Sequence, residues 1–192
     1  APLAPPPTGD PGTDRLLRVG KGDARWLSLR VALRQAPDGA RVMVKPGTYH
    51  EALVVERDLT LVALGEPGCV IVDGGSAAAI RLKAGTLRLE GFSLRSQGAT
   101  PVVQEGGRLE LVQGILEAGP EAALVATGGQ LHLQETWFQG PGVGLRLANV
   151  PLEAMGCTFE ALGGGGIEVQ EARVGLKACT FRGCAFAGLL AG

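Results

Sequence analysis

From about Ile80 to the C-terminus the chain repeats itself roughly every 22 residues, which constrains the fold before any single side chain is considered. One column of the repeat reads Ile80, Val102, Leu124, Leu145, Ile167 and Leu189. Two more keep the same register: Leu87, Leu109, Leu131, Leu152 and Val174, then Leu94, Leu116, Phe138, Phe159 and Phe181. Within a segment the apolar residues fall two apart, as in Leu87 with Leu89 and Leu131 with Leu133, which is the period of a strand and not of a helix. Three short strands per repeat, separated by Gly-containing bends such as Gly106-Gly107 and Gly128-Gly129, predict an all-β solenoid. Its form is a right-handed parallel β-helix of about seven coils, each stacked on the last at ~4.8 Å.

The start of the chain differs. Residues 1–14 are Pro-rich, with almost nothing to bury, and read as a linker or boundary; residues 15–192 are assigned to the solenoid. From Trp26 to Ala36 the residues Leu29, Ala32, Leu33 and Ala36 share one helical face, followed by Pro37-Asp38-Gly39. That helix is expected to cap the first coil, whose apolar interior and strand edges would otherwise meet water. Strands are expected at Val42–Val44, Leu53–Val55, Leu59–Leu64 and Val70–Val72, with a turn at Lys45-Pro46-Gly47-Thr48.

The segment ARVMVKPGTYHEALVVERDLTLVALG, within a match running from about Leu27 to Gly74, resembles the N-terminal signature of the pectin-lyase-like β-helix superfamily. The resemblance is to its carbohydrate-binding and sugar-hydrolysis subgroup, and it implies a capping helix followed by stacked coils. It also implies an architectural PGTY turn, in which Tyr49 packs across the bend with its hydroxyl on a backbone group. In enzymes of the superfamily the chemistry lies on outward-facing residues of the central coils, mostly Asp with Arg, Lys or His. Here Asp occurs at 10, 14, 23, 38, 58 and 73 and nowhere later, so the central coils offer only Glu. The chain is also similar to bacterial multidomain proteins in which such a β-helix is joined by a Pro-rich linker to a regulatory or ATPase module.

Three outward columns carry the candidate functional residues. Between Leu87 and Leu89 the column runs Arg88, Glu110, His132, Glu153, Gly175. It reads first as a charge ladder that keeps an exposed sheet in register, and second as an acid–base cluster of Glu110, His132 and Glu153. Between Ile80 and Leu82 it runs Arg81, Val103, Val125, Arg146, Glu168, Leu190, a sticky strip rimmed by arginines. The third places Ile115 beneath Trp137, with Ser93, Thr158 and Thr180 in line, a surface suited to a sugar ring or a partner protein.

Eighteen basic and 19 acidic residues leave a formal net charge of −1, so neither nucleic acid nor an anionic membrane is an expected partner. Cys69, Cys157, Cys179 and Cys184 form no CxxC pair and lie at no His-bearing ligand spacing, so no metal and no cofactor is expected. Cys157 and Cys179 are expected to stack as interior thiols rather than as a disulfide, which with the lack of a visible signal peptide favours the cytoplasm. The primary expectation is a non-catalytic recognition or scaffold domain of a larger bacterial protein; the alternative is a carbohydrate-active enzyme or sugar-binding protein of the pectin-lyase type. The partner is then a protein or a polysaccharide. Residues 167 to 192 end in an incomplete coil, expected to be covered by a two-fold, end-to-end homodimer through it or, alternatively, by further coils or a cap.

Overall fold

The computed structural model describes residues 16–20, 26–185 and 189–191, the side chains of Leu16 and of residues 189–191 excepted. The residues 1–14 assigned to a linker lie outside the described residues. Strand β1 (Leu16–Val19) is followed by helix α1 (Leu29–Gln35). The first coil is β2 (Ala40–Val44), β3 (Gly47–Tyr49) and β4 (Leu53–Val55); the second is β5 (Leu59–Ala63), β6 (Val70–Asp73) and β7 (Ile80–Leu82). The third comprises β8 (Thr86–Glu90), β9 (Phe92–Arg95) and β10 (Val102–Gln104), and the fourth β11 (Arg108–Val112), β12 (Ile115–Glu117) and β13 (Ala122–Ala126). Then come β14 (Gln130–Gln134), β15 (Trp137–Gln139) and β16 (Val143–Ala148), and β17 (Leu152–Met155), β18 (Thr158–Glu160) and β19 (Gly165–Gln170). The seventh coil is β20 (Val174–Lys177), β21 (Thr180–Arg182) and β22 (Leu189–Ala191).

Each coil gives one strand to each of three parallel sheets. The first sheet runs β1-β2-β5-β8-β11-β14-β17-β20, the second β3 through β21, and the third β4 through β22, each in steps of three strands. The apolar columns are the register of these sheets: Ile80 pairs with Val102, Leu131 with Leu152, and Phe138 with Phe159. The columns fill the interior because side chains alternate in and out along each strand, so every second residue faces the lumen. Phe138, Phe159 and Phe181 stack with ring centroids 4.7 Å apart and planes within 5° and 7° of parallel, the spacing the sheet imposes on identical neighbours.

From the third coil on, the corner between the first and second sheets is turned by one left-handed residue per coil. Gln113, Glu135 and Ala178 adopt φ of 51°, 49° and 54° there, and Gly91 and Gly156 occupy the equivalent places at 78° and 65°. In these coils a single left-handed residue redirects the chain with no loop, whereas in the second coil the longer 64–69 connection turns the same corner.

At the N-terminal end α1 begins later than expected, at Leu29, but buries the expected face of Leu29, Ala32, Leu33 and Ala36. Its first turn contains no acidic residue, and the missing charge comes from the coil. Glu51 accepts from Ser28 Oγ (2.9 Å), Leu29 N–H (3.0 Å) and Arg30 N–H (2.7 Å), pinning the helix N-terminus to the first coil. Tyr49 donates its hydroxyl to Lys45 O at 2.8 Å, as the architectural reading of PGTY requires. The turn is shorter than expected, because Gly47 and Thr48 already belong to β3, paired with Val70 and Ile71. Cys157 and Cys179 are free thiols; Cys157 is buried and its pKa is pushed up to about 11, chiefly by that burial.

Candidate functional site

The outer face of the first sheet brings Arg88, Glu110, His132 and Glu153 onto consecutive rungs, Arg88 opposite Glu110, Glu110 opposite His132 and His132 opposite Glu153. The register predicted for this column is the one observed. Strand alternation sends the leucines on either side inward and leaves this column, with Arg108, Gln134, Met155 and Lys177, lining a groove of about 530 Å³. That is room for a small saccharide unit or a side chain, within the range of ligand clefts.

The charges in the groove are organised. Glu110 accepts from Arg88 at 3.0 Å and from Arg108 at 2.6 Å, while Arg88 also donates to Glu90 at 2.6 Å. Burial pushes the Glu110 carboxyl up, but the two guanidinium groups outweigh it and hold the group below the usual carboxylate range. Glu110 is therefore a fixed anion and hydrogen-bond acceptor rather than a proton donor. Nδ1 of His132 lies 3.0 Å from Oε2 of Glu153. A carboxylate at that position favours the Nδ1–H tautomer and leaves Nε2 able to accept a proton or a hydroxyl hydrogen bond. The arrangement thus offers alternating donors and acceptors two to three rungs long, with one imidazole oriented by its carboxylate partner.

On the third sheet Arg81, Val103, Val125 and Arg146 occupy one outward column as expected. Both arginines are paired, Arg81 with Glu105 and Arg146 with Glu168 at 2.8 Å, and the two valines are half-buried. The strip is consequently flatter and more neutral than a free arginine rim would make it. On the second sheet Ile115 does lie beneath Trp137, but the two are not equally open. Trp137 is 44% exposed, whereas the 64–69 connection folds over Ile115; a Cβ on Gly68 would sit 2.8 Å from Ile115 Cδ1. Only Trp137, flanked outward by Gln139 and Thr158, presents a flat face.

Sequence reasoning passed over Gln104. Its side chain is buried in the lumen, donating to Gly107 O (3.2 Å) and Gln130 O (2.9 Å), so it ties two corners together. A polar residue within the column Leu82, Gln104, Ala126, Leu147 was the available signal. No group of three or more potential metal-ligating side chains occurs among the described residues, and no helix among them is long and apolar enough to cross a membrane.

No protein-family model matches the sequence, and no curated protein matches it. Among solved structures, a pectin methylesterase D178A mutant in complex with a hexasaccharide superposes with a TM-score of 0.53 at 14% identity, covering 84% of this chain and 66% of its own. The Escherichia coli protein YbhC superposes with a TM-score of 0.52 at 10% identity, covering 91% of this chain and 75% of its own. The chain thus spans just under two thirds of the methylesterase, and at these identities the likeness is one of fold alone: a right-handed parallel β-helix.

Proposed function

We propose that this β-helix binds an extended polysaccharide, with the groove on the outer face of the first sheet as the contact. The observation that carries the reading is the half-buried Glu110, held by Arg88 and Arg108 before any ligand arrives, with His132 on the next rung held by Glu153. Groups already desolvated and oriented lose little on meeting sugar hydroxyls, and a linear array at ~4.8 Å spacing suits a polymer better than a compact ligand. Trp137, on the neighbouring sheet, is a second contact for a sugar face. The likeness to a methylesterase crystallised with a hexasaccharide is compatible with this reading. It moves the balance from a protein-recognition scaffold, the primary expectation from the sequence, toward the carbohydrate alternative.

Calorimetric titration with a panel of acidic and neutral oligosaccharides tests the proposal. Binding weakened at least tenfold by both Glu110→Gln and His132→Ala, with unchanged thermal midpoints, supports it. Binding to none of the panel, or binding indifferent to both substitutions, refutes it. A second reading, hydrolytic or eliminative chemistry on the same polymer, is favoured by the His132 and Glu153 pair alone. Turnover of polygalacturonate abolished by Glu153→Gln would establish it.

A further inference from the structure

The third sheet ends at β4, and the geometry there points to a second, separate site: we infer that the open edge of β4 takes up an extended acidic peptide as an added strand. Leu53 N–H donates to Ala79 O and Val55 O accepts from Lys83 N–H, both at 2.9 Å, so these two residues spend their backbone groups on the inner neighbour β7. In a parallel ladder the residue between them faces the other way, which turns the N–H and C=O of Val54 toward the free side. An unpaired strand edge is a template for another strand.

That edge opens into a groove of about 480 Å³ between β4 and α1, walled by Arg30, Leu33, Arg34, Val54 and Arg57. Val54 is 54% exposed on its floor. Arg30 and Arg34 stand four residues apart on the helix, where like charges repel, and among the described residues no carboxylate pairs with either. Arg57 spends one nitrogen on Ala36 O at 2.9 Å, and the one wall carboxylate, Glu56, is paired with Lys83 at 3.0 Å. The groove therefore presents together strand-type backbone groups, an apolar floor and arginines that no carboxylate among the described residues pairs. An acidic polysaccharide would satisfy the arginines but has no amide ladder to offer Val54, so a peptide fits the whole set. This site shares no residue with the groove of the first sheet and stands independently of the polysaccharide reading.

The test uses fluorescence anisotropy with a labelled peptide of alternating Val and Glu, which puts carboxylates on one face of a strand and valines on the other. Saturable binding is expected, at least tenfold weaker for the Val/Lys counterpart, for the Arg30→Ala/Arg34→Ala double variant, and for the Val/Glu peptide N-methylated at alternate amides. The N-methylated probe leaves protein stability untouched, so its loss of affinity reports strand addition alone. Equal binding of the N-methylated peptide, equally strong competition by oligogalacturonate, or no binding of the Val/Glu peptide at millimolar concentration overturns the inference.

Discussion

Truncating Phe159 to Ala removes the middle ring of the stacked column. Phe159 is fully buried, with Phe138 on one side and Phe181 on the other, each at 4.7 Å. An aromatic side chain buries at least ~150 Å², which at ~25 cal/mol per Å² is about 4 kcal/mol of transfer free energy. The two lost stacking contacts add to this, and relaxation into a parallel sheet is limited, so the cost falls at about 4 to 5 kcal/mol, the upper part of the Phe→Ala range. For a chain of this length that lowers the thermal midpoint by roughly 8 to 20 °C. Phe181, only half-buried on the last rung, should cost clearly less when truncated. The assay is guanidinium unfolding followed by far-ultraviolet circular dichroism, with the change in slope checked because coils can unfold in separate steps. A Phe159→Ala cost below about 1 kcal/mol, or equal costs at Phe159 and Phe181, would refute the reasoning.

Gly129→Ala should destabilise by well over 1 kcal/mol, measured in the same way, since Gly129 has φ +90° and an added Cβ would lie 1.8 Å from Gly107 O. Asp73 is held below the usual carboxylate range first by the Gly75 N–H and then by Arg95. A lowered folded-state pKa gives stability that is present above the unfolded value and lost as pH falls through the folded one. Asp73→Asn should therefore cost about 1 to 3 kcal/mol at neutral pH, with the gap to the parent closing below pH ~4 in a pH series of unfolding curves. Cys157, buried and with its pKa raised to about 11, should resist alkylation at pH 8 until the chain is unfolded, as read by mass spectrometry of labelled peptides.

The solenoid was legible because its interior is written as columns: a residue such as Leu131 must match Leu109 below and Leu152 above, and the repeat exposes that requirement directly. The outward charge ladder followed from the same register, since Glu110 and His132 lie between leucines that must face inward. Contacts that cross the repeat were not legible. The connection at Gly68 folding over Ile115 and the pairing of Arg81 with Glu105 join residues whose separations are not those of the column, and Glu51 reaches a helix that lies outside the strand register. The one-residue corner was hidden for another reason: Gln113, Glu135 and Ala178 hold a left-handed conformation with no glycine to announce it. The expected end-to-end dimer depends on residues 167 to 192, of which 186–188 and 192 lie outside the described residues.

The most direct measurement of the central claim is a heteronuclear NMR titration of the labelled domain with oligogalacturonate and neutral β-linked oligosaccharides, following the His132 imidazole and the backbone amides of all three sheets. Polysaccharide binding in the groove predicts saturable shifts at His132, Glu110 and Glu153, with the amides of the third sheet still. Shifts confined to other faces, or none up to millimolar ligand, would contradict it.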